Sequence, residues 1–132
     1  MELVVAFTLM AILLGIVMPG LGSLRDRAAV RSAATEVAAM LASTRRAAML
    51  RSTGAALVLD PERASATVVA GPDTLLARGL GTELGVRLAA TRDTVRYAPS
   101  GRAWGASNTT LIVQRGRAAD TLWVSRLGRV RD

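Results

Sequence analysis

The side chains that could do acid–base or nucleophilic chemistry are scattered, and the partners that such chemistry needs are missing. Six carboxylates fall at expected strand ends and turns, at no spacing typical of metal ligands or of an acid/base pair: Asp60, Glu62, Asp73, Glu83, Asp93 and Asp120. The chain contains no His, no Cys and no Lys, which excludes zinc fingers, thiol nucleophiles and Ser-His-Asp triads. We therefore predict no catalytic residue, no metal site, no cofactor and no enzymatic activity.

The remaining chemistry lies in the arginines. All 17 basic residues are arginine, and Glu2 is the only ionisable side chain before Arg25. Residues 94–132 hold seven arginines against two aspartates, a net charge of +5. Guanidinium groups bind phosphate and carboxylate in bidentate fashion, so this surplus predicts an anionic partner: nucleic acid, lipid headgroups or an acidic protein surface. A GC-rich genome also produces arginine without lysine.

The candidate contacts with such a partner lie in two C-terminal pieces. Residues 115–117 (Arg-Gly-Arg) are expected in a hairpin loop, and residues 126–131 close the chain. Guanidinium groups on loops can reach successive phosphates without a shaped groove. The alternative is that the last strand merely completes a sheet. Trp104 and Trp123 could stack on bases, although the alternation of Trp123 with Leu122 and Val124 equally suits a core position.

The elements that must position these residues begin with an apolar N-terminal segment. Residues 3–24 contain no ionisable side chain, and 22 helical residues rise about 33 Å, close to the roughly 30 Å hydrocarbon core of a bilayer. The segment is apolar on every face, which predicts a transmembrane helix; a signal peptide is disfavoured because no basic region precedes it. Pro19, followed by Gly20 and Gly22, predicts a kink or local unwinding.

A second, amphipathic helical stretch is expected from Ser23, as N-cap, to about Arg51, with Gly54 as its stop. It continues the membrane segment outward as a half-buried stem, so that the two stretches form one long helix. One face carries a buried seam at three- and four-residue spacing: Val30, Ala34, Val37, Leu41, Thr44 and Ala48. Met40 and Met49 broaden that seam as core residues. The charged positions Arg25, Asp26, Arg31, Arg45 and Arg46 are expected mainly away from it.

From residue 55 the apolar period changes to two, which predicts strands. We expect them at residues 55–60, 65–70, 85–89, 94–98, 109–114 and 121–125, separated by turns. One long helix followed only by strands predicts an α+β fold, in which a small antiparallel sheet packs on the amphipathic half of the helix. The expected organisation is a transmembrane helix (1–24), an amphipathic stem (25–53) and a sheet domain (54–132).

The spacing of Glu2 and Pro19 resembles the N-terminus of type IV pilins and type II secretion pseudopilins. Mature chains of that family begin Phe-Thr-Leu-Ile/Met-Glu and carry a proline at this distance, and residues 1–5 (Met-Glu-Leu-Val-Val) match from the residue before the Glu. The resemblance implies that Glu2 pairs with the N-terminal amine of a neighbouring subunit and that Pro19 is the helix-breaking proline. It also implies a prepilin peptidase site and a basic leader upstream of Met1, so we expect the true start to lie upstream.

The C-terminal third resembles the GspH/FimT branch of that family. The resemblance rests on residues 97–102 (Tyr-Ala-Pro-Ser-Gly-Arg), 122–125 (Leu-Trp-Val-Ser) and 128–131 (Gly-Arg-Val-Arg), while residues 55–90 carry no signature. FimT-type minor pilins of transformable bacteria carry a Gly-Arg-x-Arg motif that is associated with DNA capture. Gly128, Arg129 and Arg131 match that motif. Together with Arg115, Arg117 and Arg126 of the basic C-terminal region, they are the candidate DNA contacts.

The resemblance implies a type IV pilin-like minor pilin or pseudopilin of a type IV pilus or type II secretion pseudopilus, acting in filament assembly or in priming at the tip. Its implied partners are other pilin subunits and the inner membrane, crossed once with the C-terminal domain in the periplasm. The positive-inside rule on this chain alone predicts the opposite orientation, since Arg25, Arg27 and Arg31 follow the apolar segment. The alternative is a FimT-like minor pilin that binds DNA for uptake. A single-pass protein unrelated to filaments is a third possibility.

Overall fold

One long helix dominates the computed structural model, which describes residues 1–104, 108–127 and 129–131 apart from the side chain of Pro19. Helix α1 spans Glu2–Arg51 without interruption. The single long helix with an apolar and an amphipathic half is confirmed, but the N-cap role predicted for Ser23 is wrong: its hydroxyl donates to the carbonyl of Gly20 at 2.9 Å, inside the continuous helix. The helix stops at Ser52, whose left-handed backbone (φ 51°) ends it two residues before Gly54.

The first half of α1 extends from the rest of the molecule. Every described side chain from residue 2 to residue 24 is exposed. By length and composition, α1 is the one helix in the described residues that could cross a membrane. Exposed apolar side chains over this length need lipid or other protein surfaces around them.

The strands form two antiparallel sheets rather than the single sheet that we expected. Strands β1 (Ala55–Asp60), β2 (Ser65–Ala70), β3 (Asp73–Gly79), β5 (Thr94–Tyr97) and β6 (Ala103–Trp104) make the first sheet, in the order β3-β2-β1-β5-β6. Strands β4 (Arg87–Ala90), β7 (Thr109–Arg115), β8 (Ala118–Val124) and β9 (Val130–Arg131) make the second, in the order β4-β7-β8-β9. A short helix, α2 (Leu80–Leu84), leads from the first sheet to the second.

Six strands lie where the period-two pattern predicts them, and β1 and β2 match residue for residue. The pattern missed β3, because that strand is exposed along most of its length and carries no apolar alternation. It also missed β6 and β9, which are two residues long and depend on pairing with β5 and β8. Helix α2 was likewise not predicted.

The core lies between the second half of α1 and the inner faces of both sheets. All six predicted seam residues of α1 are buried, and so is Met40, whereas Met49 is 45% exposed and does not belong to the core. Opposite the seam lie Leu57, Val68, Val95, Leu111 and Val124. Burying a side chain of this size contributes roughly 1.5–3 kcal/mol, so packing against the helix stabilises both sheets.

Candidate binding surfaces

Glu2, the predicted assembly residue, lies in the first turn of α1, where a carboxylate complements the helix dipole. Its side chain is exposed, and it forms no ion pair within the described part of the chain. Position 19 lies farther along the same helix. A carboxylate at the start of an exposed apolar helix is therefore available to a group from another molecule.

Arg115 is held within the fold. Its Nε lies 2.9 Å from the Asp26 carboxylate on α1, and its Nη1 donates to the carbonyl of Leu84 at 2.5 Å. Both ion-pair side chains are largely covered, at 28% and 30% exposure. Gly116 follows with φ 57°, and a Cβ there would lie 2.5 Å from Asp26 Oδ2. The β7–β8 turn is thus fixed against α1, and Arg115 contributes to that contact rather than to an open surface.

The six predicted DNA contacts do not form one surface. Arg115 and Arg117 lie at the β7–β8 turn, while Arg126, Arg129 and Arg131 lie at the opposite end of β8. The seven residues of β8 separate the two groups by about 20 Å. Arg117, Arg126, Arg129 and Arg131 are exposed, and Gly128 lies outside the described residues.

Arg129 and Arg131 border a groove between α1 and β9 with a volume of about 550 Å³. We call it the helix–strand groove, and its lining residues are Ala38, Ala42, Arg45, Arg46, Met49, Arg129, Val130 and Arg131. Sequence reasoning placed Arg45 and Arg46 on the solvent side of α1 and gave them no role. Their position next to the buried Thr44 could have indicated this location. Residues that flank the buried face of a helix lie beside the elements that pack on that face.

A second hollow continues the helix–strand groove toward the N-terminal end of the stem. It measures about 520 Å³ and shares Ala38 and Val130 with the groove. Its other lining residues are Arg31, Ala34, Thr35, Asp120 and Leu122. The two hollows together follow α1 from Arg31 to Met49, which is about 27 Å of helix.

The turn that follows β5 packs closely on Arg45 at one end of the helix–strand groove. Gly101 has φ 77°, and a Cβ there would lie 3.2 Å from Arg45 Nε and 2.9 Å from the sulfur of Met49. The Nε of Arg45 and the hydroxyl of Tyr97 are buried, and neither has a hydrogen-bond partner among the described residues. Burial raises the pKa of Tyr97, and the positive charge of Arg45 acts against that rise.

Both tryptophans lie at the surface rather than in the core. Trp104 is 70% exposed and pairs across strands with Arg96, while Trp123 is 50% exposed and pairs with Arg131. Neither lines the helix–strand groove. The alternation of Trp123 with Leu122 and Val124 also allowed a core position, but Trp123 does not occupy one.

Comparison with known proteins finds similarity at the level of structure. No protein-family model matches the sequence, and no curated protein sequence does. The type IV minor pilin FimU of Pseudomonas aeruginosa superposes in two crystal forms. One gives a TM-score of 0.67 at 18% identity over 80% of this chain and 88% of FimU, and the other gives 0.63 at 15% over 76% and 90%.

The minor pseudopilin EpsH from the type 2 secretion system of Vibrio cholerae superposes with a TM-score of 0.60 at 14% identity. The alignment covers 77% of this chain and 94% of EpsH. Both proteins belong to the classes that the residues around Glu2 and the C-terminal third resemble. The long helix on antiparallel sheets, predicted as an α+β architecture, is confirmed as the type IV pilin-like fold that minor pilins and minor pseudopilins share.

Proposed function

We propose that the protein is a minor pilin-like subunit of a type IV pilus or of a type II secretion pseudopilus. The observation that carries the proposal is the exposed apolar first half of α1, which continues without interruption into a stem that packs on a pilin-like domain. This arrangement suits a subunit that is stored in the inner membrane, with its C-terminal domain in the periplasm, and is then built into a filament.

The proposed mechanism is an exchange of surroundings for residues 3–24. In the membrane these side chains contact lipid, and in the filament they contact the equivalent helices of neighbouring subunits. Glu2 is costly to place in an apolar layer without a partner. A neighbour's N-terminal amine would supply that partner and favour the assembled state, with the sheet domain facing outward at or near the tip.

The experiment compares Glu2→Ala with Thr8→Ala in cells that build the filament. Thr8 is a matched control within the apolar segment, because its hydroxyl bonds only to the carbonyl of Val4 in its own helix. We expect Glu2→Ala to reduce the subunit in sheared filaments by about tenfold or more, as the loss of a charge-assisted contact implies, with unchanged membrane insertion. Incorporation of Glu2→Ala at the level of Thr8→Ala would rule out this role for Glu2.

DNA binding through the C-terminal arginines is the second candidate function. It is favoured by the exposure of Arg126, Arg129 and Arg131 at one end of the second sheet. Arg115 is disfavoured as a contact because of its ion pair with Asp26. DNA binding stays a prediction, and binding of a single-stranded oligonucleotide to the full chain tests it.

A further inference from the structure

We propose that the helix–strand groove binds an acidic, extended segment of another filament subunit, which adds to β9 as a further strand. The inference rests on the proposed function, since it names the kind of partner that the subunit would contact. Three features of the groove carry it: unpaired arginines, an open strand edge and a floor of small side chains.

The arginines of the groove differ from the three arginines that pair closely with carboxylates elsewhere in the domain. Arg51, Arg78 and Arg115 each lie 2.9 Å from a carboxylate. Arg45, Arg46, Arg129 and Arg131 form no ion pair with any carboxylate that the structure describes. Four like charges around one groove repel one another, and anionic side chains of a partner would relieve that repulsion.

The edge of β9 faces the same groove. Among the strands that the structure describes, β9 is the last of its sheet and pairs only with β8. The amide of Ser125 donates to the carbonyl of Arg129 at 2.9 Å just before β9 begins. Because antiparallel ladders alternate, the N–H and C=O of Val130 point away from β8, and Val130 lines the groove. The edge therefore offers one donor and one acceptor to an incoming strand.

The floor and length of the groove suit a peptide chain. Ala38 and Ala42 project only methyl groups, which lets a backbone approach α1 closely. The groove and the hollow that continues it together run about 27 Å from Arg31 to Met49, which accommodates about eight extended residues. Alternate side chains of a strand lie about 7 Å apart on one face, so acidic residues at alternate positions would bring several carboxylates within reach of the long arginine side chains around the groove.

A nucleic-acid strand fits the edge less well. A phosphodiester only accepts hydrogen bonds, so it would leave the outward C=O of Val130 without a donor, whereas a peptide satisfies both groups. Base stacking would also add nothing here, because Trp104 and Trp123 do not line the groove. The charge and the edge together therefore favour an acidic peptide.

The test measures binding of labelled probes to the full chain in detergent micelles by fluorescence anisotropy. The first probe is a peptide of about eight residues in which Glu and Val alternate. The others are the same peptide with Gln for Glu, and a single-stranded oligothymidylate of equal charge. We expect the acidic peptide to bind at least about tenfold more tightly than the Gln peptide.

Three variants and a control locate the site. The double variants Arg45→Gln/Arg46→Gln and Arg129→Gln/Arg131→Gln should each weaken binding of the acidic peptide about tenfold. Val130→Pro keeps every charge but removes the edge N–H, and it should weaken binding of the same peptide about fivefold. The control Arg87→Gln/Arg117→Gln removes the same charge from exposed positions outside the groove, and should change binding less than about twofold.

The proposal is overturned if the Gln peptide binds equally well, if the control weakens binding as much as the groove variants, or if oligothymidylate binds more tightly than the peptide. The last result would support the DNA-binding candidate instead.

Failure of the groove proposal is distinguishable from failure of the proposed filament role. Normal incorporation of the groove variants alongside loss with Glu2→Ala would contradict only the groove proposal. Groove binding together with normal incorporation of Glu2→Ala would contradict only the proposed role of Glu2.

Discussion

Tyr97 is the residue at which burial has the clearest chemical consequence. Its hydroxyl is buried with no partner among the described groups, and a polar group in that position weakens the fold by about 1–3 kcal/mol relative to a satisfied one. The side chain nevertheless fills the core beside α1, and the turn after it packs on Arg45. Packing of the ring, rather than the hydroxyl, is therefore the contribution of Tyr97.

We predict that Tyr97 ionises above its ordinary pKa of 10.0, because burial disfavours the phenolate. A group whose pKa is raised by folding stabilises the native state below its unfolded pKa. That stability is lost as the pH rises through the folded pKa. Tyr97 is the only tyrosine, so tyrosinate absorbance reports it alone. A midpoint at or below 10.0 in the folded protein would contradict the prediction.

Tyr97→Phe provides the matched control. It keeps the ring and removes the unpaired hydroxyl, so the free energy of unfolding at neutral pH should stay equal or rise by up to about 1 kcal/mol. The variant should also unfold at higher pH than the parent chain, because no phenol remains to ionise. Both effects are measured by denaturant titration followed by circular dichroism.

At the scale of elements, polar contacts join α1 to parts of the sheets that the core does not reach. Arg51–Asp73 and Glu36–Arg78 tie the two ends of the exposed strand β3 to the helix, each at 2.9 Å. Arg115–Asp26 does the same for the β7–β8 turn. Each pair joins residues that are distant in sequence, so these contacts fix β3 and the β7–β8 turn against the helix.

We predict that Arg115→Gln and Asp26→Asn each lower the free energy of unfolding by about 1–2 kcal/mol, since the pair is largely covered and Arg115 also bonds to Leu84. The loss of free energy of unfolding in the double variant should be smaller than the sum of the two single losses, by about 0.5 kcal/mol or more. Arg63→Gln is the control, because its 3.9 Å pair with Asp60 is exposed and should be worth less than about 0.5 kcal/mol. Strict additivity in denaturant titrations would show that the two side chains do not act together.

At the scale of the whole molecule, the apolar half of α1 and the packed domain are separable. No buried core residue precedes Val30 in the described structure, and the ion pairs of α1 begin at Asp26. The two halves share one helix but not one core. Membrane and filament contacts can therefore change without rearranging the domain.

We predict that a chain beginning at residue 25 folds and remains monodisperse without detergent. Its free energy of unfolding should lie within about 1 kcal/mol of the full chain measured in detergent, because the deleted residues make no core contacts. Denaturant titration and size-exclusion chromatography measure the two properties. A non-cooperative transition would show that the first half of α1 supports the domain after all.

Local patterns were sufficient for the elements that have their own periodicity. The three- and four-residue spacing from Val30 to Ala48 identified the buried face of α1, and alternation identified β1 and β2. Ser23 and Gly54 were misplaced as helix boundaries, because a serine hydroxyl can bond back to a helical carbonyl and the left-handed cap fell on Ser52. The candidate arginines at 117, 126, 129 and 131 are exposed, and their role as DNA contacts stays a prediction.

The sequence by itself thus determined the apolar exposed half of α1, its buried seam, most strands and the resemblance of both chain ends to pilin-like proteins. Only the tertiary structure decided that the strands divide into two sheets, that Arg115 pairs with Asp26, and that Arg45 and Arg46 meet Arg129 and Arg131 at one groove. The physical reason is that periodicity records which face of an element is buried. Which distant element covers that face depends on hydrogen bonds and charges contributed by residues far apart in the chain.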